Sequence, residues 1–261
     1  MKKSQYAIEA KNLSIGWGGV NVLNQLNFEL YSGEKLAIVG PSGSGKSTIL
    51  KILAGLILPT QGELKIFGEK QKYLRLDQNH PPDVRLVFQN PALLGSLTIE
   101  ENVGFLLKRN KNLSKKLIHE IVNGCLAEVG LFNVNNKLPN ELSGGMQKRV
   151  SFARALIRDQ TLNTKTKPLL LFDEPTAGLD PIASSRIEDL INKTNEKAKG
   201  SSIVVSHVLS TIERTSDKVL MLYGGKFRWS GSIDEFKKSN DPYVFQFRNG
   251  KLDGPMQPKD I

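Results

Sequence analysis

Apolar positions along this chain change their spacing twice. Up to about residue 88 they come in short runs closed by turn residues: Ala7 to Leu13, Val20 to Leu30, Lys35 to Val39 ending on Gly40, Glu63 to Phe67 and Val84 to Phe88. Short β-rich runs bounded by Gly and Pro predict strands. Between them, Ile49, Leu50, Ile52 and Leu53 recur at helical spacing before Gly55, so the stretch around Gly40 reads as strand, glycine loop, helix. From Leu113 to Val129 the period lengthens, with Leu117, Ile118, Ile121, Val122, Cys125, Leu126 and Val129 three and four apart and Ser114 placed to cap. A second helix begins at Gly144-Gly145 and carries Val150, Ala153, Leu156 and Ile157. Residues 92–160 therefore read as a helical insertion. The alternation then returns, with strands at Pro168 to Phe172, Ser202 to Val205 and Lys218 to Tyr223 and a helix at Pro181 to Lys197, the order of a wound α/β sheet. After Asp241 the pattern dissolves into a tail containing Gly and Pro, expected to be irregular.

Composition narrows the class. The chain of 261 residues is long enough for one large domain or two small ones, and at 39% hydrophobic residues it has ordinary globular usage. No apolar run reaches the length of a membrane span, and the segment Met1 to Ala10 has no apolar signal region, so the expectation is a cytoplasmic protein. A single cysteine, Cys125, excludes an internal disulfide and a cysteine metal cluster. The net charge of +10 admits an anionic partner without choosing among nucleotide, nucleic acid and lipid surface. The densest basic run, Lys108-Arg109-Asn110-Lys111 with Lys115-Lys116, lacks interleaved aromatics and reads as a solvated face.

The chemistry starts at Gly40-Pro41-Ser42-Gly43-Ser44-Gly45-Lys46-Ser47, a full match to a phosphate loop in the strand-loop-helix context that such a loop requires. Glycines let successive backbone N–H groups turn toward anionic oxygens at a helix N-terminus. Lys46 would neutralise the terminal phosphates of ATP and Ser47 would ligate Mg²⁺, with Thr48 completing the binding loop. Far downstream, Leu169-Leu170-Leu171-Phe172-Asp173-Glu174-Pro175 sets two acids at the end of an apolar strand. Asp173 reads as the carboxylate on the Mg²⁺ side and Glu174 as the group that orients or deprotonates attacking water.

With Leu142-Ser143-Gly144-Gly145-Met146-Gln147 added, the chain resembles the ATP-binding cassette (ABC) family, whose signature is LSGGQ. Gln89 matches that family's Q-loop, which adds a metal-side ligand; Ala177-Gly178-Leu179-Asp180 matches the D-loop, His207 the switch histidine and Trp17 the aromatic that stacks on adenine. The resemblance covers roughly residues 6–235. It implies an α/β fold: an ABC-type phosphate-loop nucleotide-binding domain with a RecA-like core, an antiparallel β subdomain and a helical signature subdomain. The cassette would span 6–240, followed by a C-terminal extension at 241–261. It also implies a head-to-tail homodimer in which Ser143, Gly144, Gly145, Met146 and Gln147 of one protomer close over the ATP of the other. The catalytic set is then Glu174, His207, Gln89 and Lys46, with Mg²⁺ between Ser47, Gln89 and Asp173, and Asp180 at the dimer contact. Work would pass through Asn90 to Val103 to a separate integral membrane permease.

Within the family, Gly145-Met146, the run Leu179-Asp180-Pro181 and the tail Phe247-Arg248-Asn249-Gly250-Lys251-Leu252-Asp253-Gly254-Pro255 look like the ATPase of Mla-type lipid transporters, including the chloroplast lipid importer. In that group Phe247, Gly250, Asp253, Gly254 and Pro255 would belong to an extension reaching the neighbouring ATPase. The implied partners are a permease dimer and an MCE-domain lipid-binding protein, with peripheral attachment to the inner face of the membrane. Val208 stands where many cassettes carry Asp after the histidine, and Met146 where many carry Gln. Transport of a small polar solute is the alternative. A nucleic-acid-associated cassette is disfavoured, because the long coiled-coil, zinc or second-cassette insertions of such proteins are missing from the sequence.

Overall fold

The computed structural model of the chain describes residues 5–110, 112–157 and 167–257. Lys111 of the basic run, residues 158–160 of the expected helical insertion and residues 258–261 of the expected tail lie outside these described residues.

Strands β1 (Tyr6–Trp17) and β2 (Val20–Tyr31) form a long antiparallel hairpin turned by Gly18 and Gly19. Both glycines have positive φ, 58° and 79°, the backbone a two-residue hairpin turn demands. With β4 (Gln61–Ile66) and β5 (Glu69–Lys70) they make an antiparallel sheet in the order β2-β1-β4-β5. The second sheet contains β3 (Lys35–Val39), β6 (Val84–Val87), β7 (Leu169–Asp173), β8 (Ser201–Val205), β9 (Lys218–Tyr223) and β10 (Lys226–Ser232), in the order β10-β9-β3-β8-β7-β6. All its pairings are parallel except β9 with β10.

The parallel strands are apolar on both faces because both are covered. On β3, Leu36 and Ile38 face the antiparallel sheet and helix α1 (Lys46–Leu53), while Ala37 and Val39 face α6 (Leu209–Thr215) and α7 (Ile233–Lys238). On β7, Leu169 and Leu171 join the first of these cores, and Leu170 and Phe172 turn to the helical side. That side consists of α2 (Ile99–Val103), α3 (Lys115–Glu128) and α4 (Gly144–Leu156), backed by α5 (Pro181–Ala198). Phe152 of α4 stacks on Phe172 with ring centroids 5.5 Å apart and an interplanar angle of 22°.

The two helices expected in the insertion both have their caps. Ser114 accepts from the Leu117 amide at the start of α3, and Ser143 from the Met146 amide at the start of α4. The far end of α4 is tied down twice. Arg85 donates from Nη1 to the Ala155 and Ile157 carbonyls at 2.8 and 3.0 Å, while gripping Asp83 with Nε and Nη2. Arg154 donates to the consecutive Pro91 and Ala92 carbonyls, both at 2.9 Å. Cys125 of α3 lines a cavity of about 490 Å³ between α3, α4 and α5, where burial, followed by the nearby Glu128 charge, pushes its thiol up to about 11.

The region after Asp241 differs from the irregular tail expected. Asp241 accepts from the Tyr243 and Val244 amides, Pro242 sits at the first helical position, and α8 (Pro242–Asn249) follows, ended by Gly250 at φ 61°. A proline read as a breaker is here a helix starter, because the first turn needs no N–H from it. The chain beyond α8 folds back on it. The buried Gln246 side chain donates to the carbonyls of Lys251, Leu252 and Met256 and accepts from the Met256 amide. Met256 is thereby buried, and Phe247 packs on the β3–β9 core.

Candidate functional site

The loop from Gly40 to Gly45 joins the end of β3 to α1. Gly40 and Gly45 both have positive φ, 151° and 101°, and a Cβ on either would run into the Leu222 carbonyl or the Leu23 side chain. Only glycine lets the loop lie this close to β9 and β2. Around Gly43 the side-chain position is open, which leaves the loop's outer rim accessible.

Lys46 is buried, and its ammonium donates to the Gly40 and Pro41 carbonyls, both at 3.0 Å, with Glu174 Oε1 at 3.9 Å. Burial pushes its pKa down, and the charges of Glu174 and Asp173 pull it back up. Ser47 Oγ donates to Asp173 Oδ1 at 2.9 Å, bringing the first turn of α1 against the end of β7. Asp173 is pushed above the usual carboxylate range by burial; the Ser47 hydrogen bond opposes this, Glu174 adds to it, and Lys46 opposes it.

Glu174 follows immediately, 8% exposed and in the left-handed backbone region at φ 44°. Its amide donates to the Val205 carbonyl at 2.9 Å. One carboxylate oxygen faces Lys46, and the other lies 2.9 Å from His207 Nδ1 and accepts from the His207 amide at 3.4 Å. A non-glycine residue held in this conformation at a strand end is the kind of strain that persists at functional sites. The structure thus brings Lys46, Ser47, Asp173, Glu174 and His207 into one cluster at the C-terminal ends of β3, β7 and β8, where open α/β sheets bind ligands.

The other expected residues stand apart. Trp17, 55% exposed, lies beside the hairpin turn, with β2 passing the phosphate loop at Val22 and Leu23. Gln89 is exposed just past β6, and Thr48 sits in the first turn of α1. Ser143, Gly144 and Gly145 are exposed at the N-terminus of α4. Among the described residues, none of Ser143, Gly144, Gly145, Met146 and Gln147 shares a hydrogen bond or ion pair with Gly40 to Thr48. Gln147 instead donates to the Pro139 and Leu142 carbonyls. Asp180 caps α5, accepting from the Ile182 and Ala183 amides.

Two features went unread in the sequence. Lys148 is 6% exposed and donates to the Ala177 carbonyl at 3.1 Å. Its only sequence signal was its helical spacing with Phe152 and Ala155, which puts it on the inner face of α4. The second is a buried polar chain. Thr176 and Thr211 hydroxyls lie 2.7 Å apart, and Thr211 donates to Glu188, 1% exposed, which also pairs with Arg214 at 2.9 Å. It fastens the segment after Glu174 to α5 and α6, and no local pattern announces it.

The donor set suits a magnesium nucleotide. The buried Ser44 hydroxyl lacks a partner inside the fold and belongs to the loop that would wrap the phosphates. Among the described residues no group of three or more His, Cys, Asp or Glu is arranged to hold a metal. Ser47 and Asp173 suit Mg²⁺, which is commonly held by one or two protein oxygens plus phosphate and water.

Comparison with known proteins agrees with this geometry. The family model for the ABC transporter matches residues 23–177. The chain is 47% identical over 264 residues to the protein TRIGALACTOSYLDIACYLGLYCEROL 3, chloroplastic, of Arabidopsis thaliana, spanning 97% of this chain and 76% of that one. It is 36% identical to the intermembrane phospholipid transport system ATP-binding protein MlaF of Haemophilus influenzae, across 98% of this chain and 95% of the relative. Its fold matches a dimeric ATP-binding cassette solved in a post-hydrolysis state with ADP and phosphate, at a TM-score of 0.74 and 30% identity, covering 87% of this chain and 98% of the other.

Proposed function

Since the chain belongs to the ABC transporter family and is an ATP-binding ATPase, we propose that it powers the movement of a phospholipid or related polar lipid through a separate membrane permease. The carrying observation is similarity over 97% and 98% of this chain to a chloroplast protein named for trigalactosyldiacylglycerol and to a phospholipid transport ATP-binding protein. No helix among the described residues is long and apolar enough to cross a membrane; in this reading the translocation path is a partner's. The protein would sit against the permease on the cytoplasmic or stromal side, with an MCE-domain lipid-binding protein in the same assembly.

In this reading residues 6–240 are the cassette, 92–160 its signature-bearing subdomain and 241–261 an extension. Lys46 and the loop amides hold the ATP phosphates, and Trp17 offers its exposed ring to the adenine. Ser47, Asp173 and Gln89 would hold Mg²⁺, which when bound neutralises charge developing on the phosphates. Glu174 takes the proton of the attacking water, and its 2.9 Å contact with His207 aims the carboxylate. The separation of Ser143 to Gln147 from the phosphate loop supports a composite site, in which one protomer's signature completes its partner's nucleotide pocket. Asp180 lies at that contact. Asn90 to Val103 carry the response to the permease. In the extension, Gly250 ends α8 and Phe247 anchors it, while Leu252, Asp253 and Gly254 are exposed beside half-buried Pro255, ready to meet the neighbouring ATPase.

The test is a mild-detergent pull-down of the tagged chain at native expression, with mass spectrometry of proteins and lipids. The expected result is a permease, an MCE-domain protein and bound phospholipid. A permease with a soluble solute-binding protein and no lipid would move the substrate to a small polar solute.

A further inference from the structure

Two lysines are buried among the described residues, Lys46 in the phosphate loop and Lys148 in α4. The first faces the nucleotide site. The second reaches the segment just after Glu174, from the helix whose exposed end is Ser143-Gly144-Gly145. We infer that Lys148 is a positioning residue for ATP hydrolysis: it ties the signature helix to the segment that carries Glu174, so that a nucleotide seated on one protomer's signature sets the posture of that protomer's own catalytic acid. The inference rests on the composite-site reading above and adds an internal route between the two sites.

The route is short. Lys148 Nζ donates to the Ala177 carbonyl at 3.1 Å, and the Ala177 amide donates to the Glu174 carbonyl at 3.2 Å. Glu174 itself sits at φ 44°, a conformation that relaxes unless its neighbours hold it. A buried ammonium is a costly way to satisfy one carbonyl, since its hydration must be given up. Burial pushes the Lys148 pKa down, and the Glu174 carboxylate pulls it back, so the two charges feel one another across the turn. Lys148 therefore acts on Glu174 through the backbone and through its field.

The helix that carries Lys148 is suited to transmit rather than absorb a displacement. At its other end Arg154 holds the Pro91 and Ala92 carbonyls, next to Gln89, and Arg85 holds the carbonyls of Ala155 and Ile157. One rigid element thus contacts the signature, the segment after Glu174 and the segment after Gln89.

The experiment compares wild type, Lys148→Met and Lys148→Arg as full chains in the permease complex, by steady-state ATPase, thermal melting and ATP-dependent dimerisation on gel filtration of the isolated chain. Lys148→Met should lower kcat by about tenfold or more with KM for ATP within about twofold. It should accumulate an ATP-bound dimer that wild type hydrolyses away, and Lys148→Arg should keep about a third or more of kcat, since it can still donate to the carbonyl. An unimpaired Lys148→Met, or one that loses nucleotide affinity and melting temperature along with kcat, overturns the role of Lys148. A wild-type rate per chain that does not fall on dilution, together with no ATP-dependent dimer even in Glu174→Gln, overturns the composite-site reading instead.

Discussion

Replacing Glu174 by Gln isolates one property of the site, its capacity to take a proton. The amide preserves the shape of the side chain and can still accept from His207, whose amide lies 3.4 Å and whose Nδ1 lies 2.9 Å from the carboxylate oxygen. Proton transfer by a positioned side chain contributes about 10²- to 10⁴-fold to rate, so the barrier should rise by about 3 to 5 kcal/mol. Nucleotide affinity should move the other way. In the free protein the Glu174 carboxylate stands 3.9 Å from the Lys46 ammonium, and ATP must share that cation while bringing its own negative charge alongside. Two unit charges about 4 Å apart interact by about 4 kcal/mol at an effective dielectric constant near 20, much of it offset by solvation, so removing the carboxylate leaves affinity unchanged or up to about tenfold tighter. The assays are phosphate release under steady state, titration with a fluorescent ATP analogue, and gel filtration with and without ATP, where the variant should run as a persistent dimer. A kcat within about threefold of wild type would refute the assignment of Glu174 as the base. A large loss of affinity at reduced kcat would show that the side chain holds nucleotide rather than water.

Three further outcomes follow from the packing and the charges. Phe152→Ala removes a fully buried ring stacked on Phe172, next to Asp173, and should cost about 3 to 5 kcal/mol in urea unfolding; a cost below about 1 kcal/mol would mean that the helical side is not packed on β7 as described. Asp173→Asn should raise the melting temperature of the nucleotide-free chain at neutral pH, because burial raises the folded-state pKa of Asp173 and its ionised form costs stability there. The gap should close as pH falls below the ordinary value of 3.8, where folded and unfolded chains both carry the protonated acid, and a gap independent of pH would sink this account. Gln246→Leu removes the buried amide that holds Lys251, Leu252 and Met256, so trypsin cleavage after Lys251 should quicken by about tenfold or more; an unchanged rate would show that the fold-back does not depend on Gln246.

What the sequence displayed was whatever obeys a local period. The strand, loop and helix around Gly40 to Ser47 were visible because a short apolar run gives way to glycines and then to a period of 3.6. The strand ending at Asp173 was visible because a strand covered on both faces needs an unbroken apolar run. Helix α8 is hidden in the sequence because Asp241-Pro242 reads as the end of structure although that pair also starts a helix. Nothing in the sequence sets Lys148 apart from its neighbour Arg149, since burial of a charge depends on a partner in a distant segment, here Ala177. The chain from Thr176 through Thr211 and Glu188 to Arg214 is invisible for the same reason: its members come from three elements joined only by folding.

The raised pKa of Cys125 makes the chain a ready platform for site-directed labelling. With its thiol near 11, only about one molecule in ten thousand carries a thiolate at pH 7, against a few per cent for an ordinary cysteine. A cysteine introduced at Leu252, which is 84% exposed on the folded-back tail, would react with a maleimide long before the native thiol does. Spin or fluorescent labels placed there on both protomers would report how far apart the two tails stand as ATP is bound and hydrolysed, without removing the native cysteine first.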